Sequence, residues 1–289
     1  MRIHHLNCGT MCPWGGRTMD GVSKGLRGRL VCHCLLIETD RHGLILVDTG
    51  LGLQDVERPY PRLSRLYVDM LGIQLAREET AAVQIRKLGF APEDVRHIVL
   101  THLDFDHAGG IEDFPNATVH VTKAEYDTAR HREGFVGQRR YRPLQWDEVS
   151  RWQRYQTVGE PWFGFEAVRD LEGLPPEILL IPLPGHTWGH AGVAIDTGER
   201  WLLHAGDAYF YRDEVRTPTP RCTPGLRAYQ SLMEVDRKAR LRNQQRLRSL
   251  SMSPEANVDI FCAHDALEFD GWAAKQQQMQ RDEALQRAQ

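Results

Sequence analysis

The stretch THLDFDHAGG (residues 101–110) crowds ligand-type side chains into six positions, namely His102, Asp104, Asp106 and His107. The apolar run RHIVL (96–100) comes directly before it and is typical of a short buried strand. Side chains on a loop at a strand end can converge on one point, and imidazole and carboxylate suit first-row divalent metals. The small residues Ala-Gly-Gly let the backbone pack closely behind such a loop. A polar loop capped by Asp106 is the alternative, but it would not need four ligand types.

Three more candidate ligands lie further along the chain. They are His186 in LPGHTWGH, Asp207 in HAGDA and His264 in CAHDA, and each follows an apolar run directly. Residues that follow buried strands gather at one edge of a sheet, where sites in α/β folds form. Seven ligands exceed what one tetrahedral zinc needs, and they suit two metals about 3.5–4 Å apart. The sequence therefore predicts a centre of two divalent metals.

The apolar runs predict alternating strands and helices. A hairpin is expected from 31–39 and 44–50, a helix at 78–90, a strand then a helix at 117–134, strands within 177–208, one long helix at 225–250, and a final strand at 258–265 that runs into a loop. This order favours a layered α/β protein with the sheet in the middle. We expect one domain over 1–289, with a Trp-rich insertion or lid at about 134–176, or else a peripheral helical insertion there.

Composition excludes several classes of protein. The chain has 289 residues, 41% hydrophobic and 26% charged, with a net charge of −3, which disfavours a dedicated nucleic-acid binder. Neither a secretory signal nor an apolar run of membrane-spanning length is present in the sequence. The six cysteines form no CxxC pair, so we expect them to be reduced packing residues. These features favour a cytoplasmic protein that binds neither nucleic acid nor a membrane. A small-molecule lactone or ester substrate, and a monomer or homodimer, are expected without support from composition.

The ligand series resembles the metallo-β-lactamase superfamily, whose pattern is HxHxDH, a PGHT-like turn, a GD turn and a final His. Within it, CLLIETDRHGLILVDTG, IRKLGFAPEDVRHIVLTHLDFDHAGG and KAEYDTARHREGF are most similar to N-acyl homoserine lactonases. The resemblance covers nearly the whole chain and implies a four-layer αββα sandwich. It also implies that Asp48 supports the ligands and that Asp207 bridges two metals. Metal 1 would take His102, Asp104 and His186, and metal 2 would take Asp106, His107 and His264.

Asp104 departs from the family pattern, which has a histidine at that position. Two divalent metals and a bridging hydroxide against three aspartates sum to zero, whereas a histidine at 104 would leave one positive charge. On this count the site favours iron or manganese more than usual and acidifies its water less. Zinc stays the first expectation because the other six ligands are ordinary for it.

A second departure concerns a tyrosine that lactonases place three residues after the bridging aspartate. That position is Phe210 here, so we take its neighbour Tyr209 as the candidate catalytic tyrosine. The alternatives are that Tyr211 has the role or that neither tyrosine does. Asp106 is the candidate to accept and pass on a proton. The resemblance also implies that His190, four residues after His186, supports the ligands without binding metal.

The sequence thus predicts a dinuclear hydrolase that opens a lactone ring, as a quorum-quenching lactonase does. The alternatives are a thioesterase of the glyoxalase II kind and a di-iron redox protein, which a carboxylate at Asp104 suggests.

Overall fold

Two β-sheets lie face to face between outer helices. The computed structural model describes residues 1–168 and 170–287. In the larger sheet the strand order is β4-β1-β2-β3-β5-β6-β7, and in the smaller it is β10-β11-β12-β13, with a separate hairpin β8-β9. The strands are β1 (Arg2–Met11), β2 (Leu30–Glu38), β3 (Leu44–Val47), β4 (Ile73–Gln74), β5 (Val95–Val99), β6 (Thr118–Thr122), β7 (Trp152–Tyr155), β8 (Glu160–Trp162), β9 (Phe165–Ala167), β10 (Ile178–Pro182), β11 (Ala191–Asp196), β12 (Trp201–His204) and β13 (Val258–Phe261).

The helices connect these strands and cover their outer faces. They are α1 (Arg17–Asp20), α2 (Leu53–Glu57), α3 (Pro59–Arg62), α4 (Arg65–Leu71), α5 (Ala81–Lys87), α6 (Phe105–Ala108), α7 (Lys123–His131), α8 (Gly134–Arg140), α9 (Pro224–Met233), α10 (Arg237–Ser251) and α11 (Ala266–Arg287). Short 3₁₀ turns occur at Arg77–Glu79, Pro92–Asp94, Ile111–Asp113, Pro143–Gln145, Arg212–Glu214 and Pro254–Ala256. Across the described ranges, none of the helices has both the length and the apolar character needed to cross a membrane.

Apolar side chains form one core between the sheets and one on each outer face. Leu35 and Val47 of the larger sheet pack with Leu180 and Val193 of the smaller one. Behind the larger sheet, Ile85 of α5 packs with its neighbours, and behind the smaller sheet Leu247 of α10 does the same. These three buried layers make the predicted αββα sandwich, since each sheet buries one face on its partner and the other under helices.

Most predicted elements are present. The hairpin pairs β2 with β3 in antiparallel register, with Leu35 opposite Val47. The expected helix at 225–250 is wrong as a single element, because the chain breaks between α9 and α10. Asp236 begins α10 by accepting a hydrogen bond from the backbone of Ala239 at 2.9 Å, a cap that the continuous basic pattern hides. The strand at 258–265 that runs into a loop is confirmed, since β13 ends at Phe261 and His264 lies in the loop after it. The helix α11 that follows this loop, and that packs on β1 and β2, was not predicted.

The Trp-rich segment at 134–176 is built from ordered elements. It contains α8, the hairpin β8-β9 and β7, which pairs with β6 in parallel and forms the edge of the larger sheet. Trp146 and Trp162 are buried, and Trp152 is half-buried. Whether any part of this segment moves as a lid stays a prediction.

Candidate metal centre

The structure brings all seven predicted ligands to one edge of the sandwich. The 101–107 loop follows β5, Asp207 follows β12, His264 follows β13, and His186 lies between β10 and β11. All seven are buried, and the most exposed of them, Asp106, is only 6% exposed. Gly109 has the packing role expected of it, because a Cβ there would lie 2.7 Å from the carbonyl oxygen of Gly50.

Asp207 lies between two pairs of histidines. Its Oδ2 is 3.7 Å from His102 Nε2 and 3.3 Å from His186 Nε2. Its Oδ1 is 3.3 Å from His107 Nε2 and 3.1 Å from His264 Nε2. The ligand atoms of a tetrahedral zinc lie about 3.4 Å apart, given bonds of about 2.0–2.2 Å. Each oxygen of Asp207 is therefore spaced to share one cation with one histidine pair.

Two ligand atoms also indicate a bound cation, because they are buried and have no hydrogen bond. Within the part of the chain that the structure describes, His102 Nε2 and Asp207 Oδ1 have no hydrogen-bond partner. A buried polar atom without a partner is costly unless something else binds it. His102, His186 and Asp207 converge closely enough to hold a metal ion, and so do His107, Asp207 and His264. A divalent metal fits this donor set.

Hydrogen bonds at the far side of the rings aim the histidines inward. His107 Nδ1 lies 2.8 Å from Asp48 Oδ2, and His264 Nδ1 lies 2.7 Å from the carbonyl oxygen of Val31. When Nδ1 donates to an oxygen, Nε2 keeps its lone pair for a metal. His190 does not face the centre in this way, because its Nε2 accepts a hydrogen bond from the backbone of Asp207 at 2.8 Å. Its predicted supporting role agrees with that contact.

Glu125 fixes the two ligand-bearing loops to each other, and the sequence reasoning missed it. One oxygen accepts from the backbone of Leu103 at 3.0 Å, and the other accepts from the Thr187 hydroxyl at 2.5 Å and from the backbone of Gly189 at 3.2 Å. Gly189 is needed here, since a Cβ would come within 2.0 Å of the Glu125 nitrogen. The buried carboxylate thereby sets the spacing between His102 and His186.

The aspartates of the centre differ in their acidity. Burial opposes the charge of Asp207, but the surrounding His264, His107 and His186 hold its pKa well below the ordinary value. Burial, helped by the Asp207 and Asp104 charges, raises the pKa of Asp106 against the opposing effect of His107 and His264. Asp207 thus stays a firm anion, while Asp106 is the carboxylate more ready to take a proton.

The guanidinium of Arg140 changes the net charge that the sequence predicted for the centre with Asp104. Its Nε and Nη2 each donate to one Asp104 oxygen at 2.7 Å, and its side chain is buried. Burial opposes the Asp104 charge, but Arg140 holds the pKa of that carboxyl well below the ordinary value. The expectation that Asp104 removes one positive charge from the centre is therefore wrong, because Arg140 restores it. A carboxylate in place of a neutral imidazole was the one signal in the sequence that a cation lies nearby.

Tyr209 is not at the centre. Its buried hydroxyl donates to Glu268 at 3.1–3.2 Å, on the side of α11, so its prediction as a catalytic residue is wrong. Phe210 lies there instead, with its ring stacked on His264 at 5.1 Å between centroids. The Tyr229 ring packs edge-on against Phe210, with 5.6 Å between the ring centroids. Burial, and then the charges of Asp106, Asp104 and Asp207, raise the pKa of Tyr229.

Cys32 is a further residue that the sequence reasoning missed. Its sulfur converges with Asp106 and His264 closely enough to hold a metal ion. Burial, and then the charge of Asp106, raise the pKa of this thiol well above its ordinary value, so it is a poor thiolate ligand. No spacing in the sequence separates it from the packing cysteines Cys8 and Cys34.

Comparisons with known proteins show the family of the chain. A probable metallo-hydrolase of Mycobacterium tuberculosis is 43% identical over 92% of this chain and 80% of its own length. An N-acyl homoserine lactonase of a Bacillus species is 31% identical over 65% of this chain and 67% of its own. A solved N-acyl homoserine lactone hydrolase, with N-hexanoyl-L-homoserine at its catalytic metal centre, superposes with a TM-score of 0.69. That structure is 22% identical, covers 93% of this chain and 95% of its own, and shows the shared fold. Residues 27–246 match the metallo-beta-lactamase superfamily, and the chain belongs to that superfamily as a metal-dependent hydrolase.

Proposed function

We propose that this hydrolase opens a lactone ring, with an N-acyl homoserine lactone as the substrate class. The observation that carries the proposal is Asp207, whose two oxygens each face one pair of histidine nitrogens. Similarity to proteins named as N-acyl homoserine lactonases supports the substrate class. Zinc is the proposed metal because nitrogen and carboxylate oxygen donors suit it. The prediction that two ions bind stays a prediction.

The residues of the centre have separate tasks. A divalent metal, held by the histidines and Asp207, supplies an electrophile and an activated water at neutral pH. Asp48 orients His107 through the 2.8 Å contact with Nδ1. Asp106, which is the most exposed of the seven ligands at 6%, accepts the proton that the attacking water loses and returns it to the ring oxygen as the ester bond breaks.

An apolar pocket beside the centre suits the acyl chain of such a substrate. It is lined by Val22, Leu30, Phe210, Leu226 and Leu267, with Asp20 and Arg29 at its polar side. Phe210 joins this pocket to the centre, because the same ring stacks on His264. A lactone ring over the ligands would place its acyl chain toward these apolar side chains.

The two alternatives differ in how the centre supports them. A thioesterase would use the same ligands, and no described contact favours it over a lactonase. A di-iron redox protein was suggested by the carboxylate at Asp104. Arg140 donates a hydrogen bond to each oxygen of that carboxylate and balances its charge. The extra negative charge of Asp104 therefore no longer favours iron over zinc.

A substrate panel on protein of measured metal content tests the proposal. Lactones with short and long acyl chains, a linear ester and a thioester are compared at equal concentration. We expect the highest kcat/KM on acyl lactones, with a gain for longer chains, and loss of turnover on chelation. A preference for the thioester or the linear ester, or turnover that survives complete metal removal, would contradict the proposal.

A further inference from the structure

The backbone at the end of α8 holds Arg140 beside the metal centre. It is the last residue of α8, and the next residue, Tyr141, pairs with Asp104 in an isolated antiparallel bridge. This bridge brings the end of α8 against the ligand loop. The Arg140 side chain is 1% exposed, so it reaches the centre from inside the protein.

Each nitrogen of the guanidinium has a partner in the centre or beside it. Nε and Nη2 donate to the two oxygens of Asp104 at 2.7 Å. Nη1 donates to the carbonyl oxygens of His186 at 3.2 Å and Met233 at 3.0 Å. Nη2 also lies 2.7 Å from His186 Nε2. A planar fork held at every nitrogen is fixed in place, which a lysine could not reproduce.

Because of its contact with His186, the Arg140 guanidinium competes with a metal ion for that histidine. An imidazole Nε2 has one lone pair, and a hydrogen bond from Nη2 uses the pair that a metal would need. Asp104 Oδ2 lies 3.1 Å from the same Nε2, so Arg140 engages two of the ligands that the family resemblance assigns to metal 1. A guanidinium this close also repels a divalent ion directly.

Among the residues that the structure describes, no such cation contacts the other side of the centre. His107 Nε2 and His264 Nε2 lie 3.3 Å apart, and Asp207 Oδ1 faces them both. Asp106 Oδ2 lies 3.7 Å from His264 Nε2. These four side chains have the donors for one ion without competition.

We propose that Arg140 is a specificity-determining residue for metal binding, which makes the two sides of the centre unequal. One divalent ion binds tightly at Asp106, His107, Asp207 and His264. At His102, Asp104 and His186 the guanidinium competes with a second ion, which binds weakly. The proposal rests on the metal centre of the proposed hydrolase but does not depend on its substrate.

Metal counting tests this asymmetry without an activity assay. Chelated protein is titrated with Zn²⁺, and in parallel with Co²⁺ to follow its visible absorption, and the metal retained after gel filtration is measured. For the natural chain we expect one equivalent retained, and a second bound about a hundredfold more weakly. Arg140→Met frees Asp104 and His186, so we expect two tight equivalents. Arg139→Met, a neighbour that donates to the Phe135 carbonyl, is the matched control and should behave as the natural chain does.

Arg140→Met leaves Asp104 buried without its partner, so circular dichroism must show that it is folded. The double variant Asp104→His/Arg140→Met removes both charges, offers three histidines on that side, and should also retain two equivalents. Two equal tight ions in the natural chain would overturn the proposal, as would one ion in a folded Arg140→Met or double variant. If both variants unfold, the titration of the natural chain decides alone. Absent lactonase activity together with one tight ion would contradict only the proposed function.

Discussion

Arg140 donates two parallel hydrogen bonds of 2.7 Å to the two carboxylate oxygens of Asp104, and both side chains are buried. Removing one partner of such a pair leaves an uncompensated buried charge, which costs about 3–5 kcal/mol. Replacing both partners by neutral groups can be nearly neutral for stability. The pair therefore has to be treated as one unit when the centre is altered.

Asp104→His alone should destabilise the metal-free protein by about 3–5 kcal/mol, because it sets a neutral ring against the buried guanidinium. Asp104→His/Arg140→Met should recover most of that loss. The measurement is urea unfolding of the three proteins in the presence of a chelator. Equal stability of the single and double variants would show that Arg140 does not depend on the charge at Asp104.

His107→Ala and His264→Ala should each abolish hydrolysis while the fold is kept. Both rings face Asp207 Oδ1, so either change removes a donor from the side of the centre that lacks a competing cation. Hydrolysis, metal content and circular dichroism are measured together, with the exposed His131→Ala as a control. Turnover close to that of the natural chain in either variant would contradict the assignment of these ligands.

Tyr229→Phe should lower kcat/KM on an acyl lactone about tenfold, whereas Tyr209→Phe should change it little. The Tyr229 ring packs against Phe210, whose own ring stacks on His264, and one hydrogen bond to developing charge has at least this effect. The second phenol donates to Glu268, away from the centre. Steady-state kinetics of the two variants separates them, and the reverse order of effects would restore Tyr209 as the candidate.

The sequence predicted the ligands because they form a local pattern and each follows a strand with a run of buried apolar residues at its end or through most of its length. Burial on both faces makes such strands easy to identify, and their ends then gather at one edge. The break before Asp236 and the helix α11 were missed because one basic amphipathic pattern and one long polar stretch give no clear boundary.

The residues missed at the centre act through contacts that are distant along the chain. Arg140 and Asp104 are 36 positions apart, and Glu125 and Thr187 are 62 apart. Only the fold brings such pairs together. Arg140 belongs to no local motif, and the stretch KAEYDTARHREGF that contains Glu125 does not show which residues it contacts. The same reason applies to Tyr229, since the order of residues after Asp207 points to Tyr209 instead.

Glu268→Gln should weaken the pH dependence of stability between about pH 4.5 and 7. Burial, opposed by Arg216, raises the pKa of Glu268 from 4.5 to about 7. A raised pKa means that the folded protein binds this proton more tightly than the unfolded chain does. The resulting stability is fully present below about pH 4.5 and is lost as the pH rises to about 7. Glutamine has no proton to lose but can still accept from Tyr209 and from the backbone of Cys262.

The measurement is the free energy of unfolding of metal-free protein at pH 5 and pH 8. The loss of stability between these two values should be about 2–3 kcal/mol smaller in Glu268→Gln than in the natural chain, since one pKa unit corresponds to about 1.4 kcal/mol. Glu255→Gln alters an exposed carboxylate and serves as the control, which should keep the natural pH dependence. A difference of the opposite sign would mean that the 2.8 Å ion pair with Arg216 outweighs burial, so that Glu268 is ionised in the folded protein throughout this range.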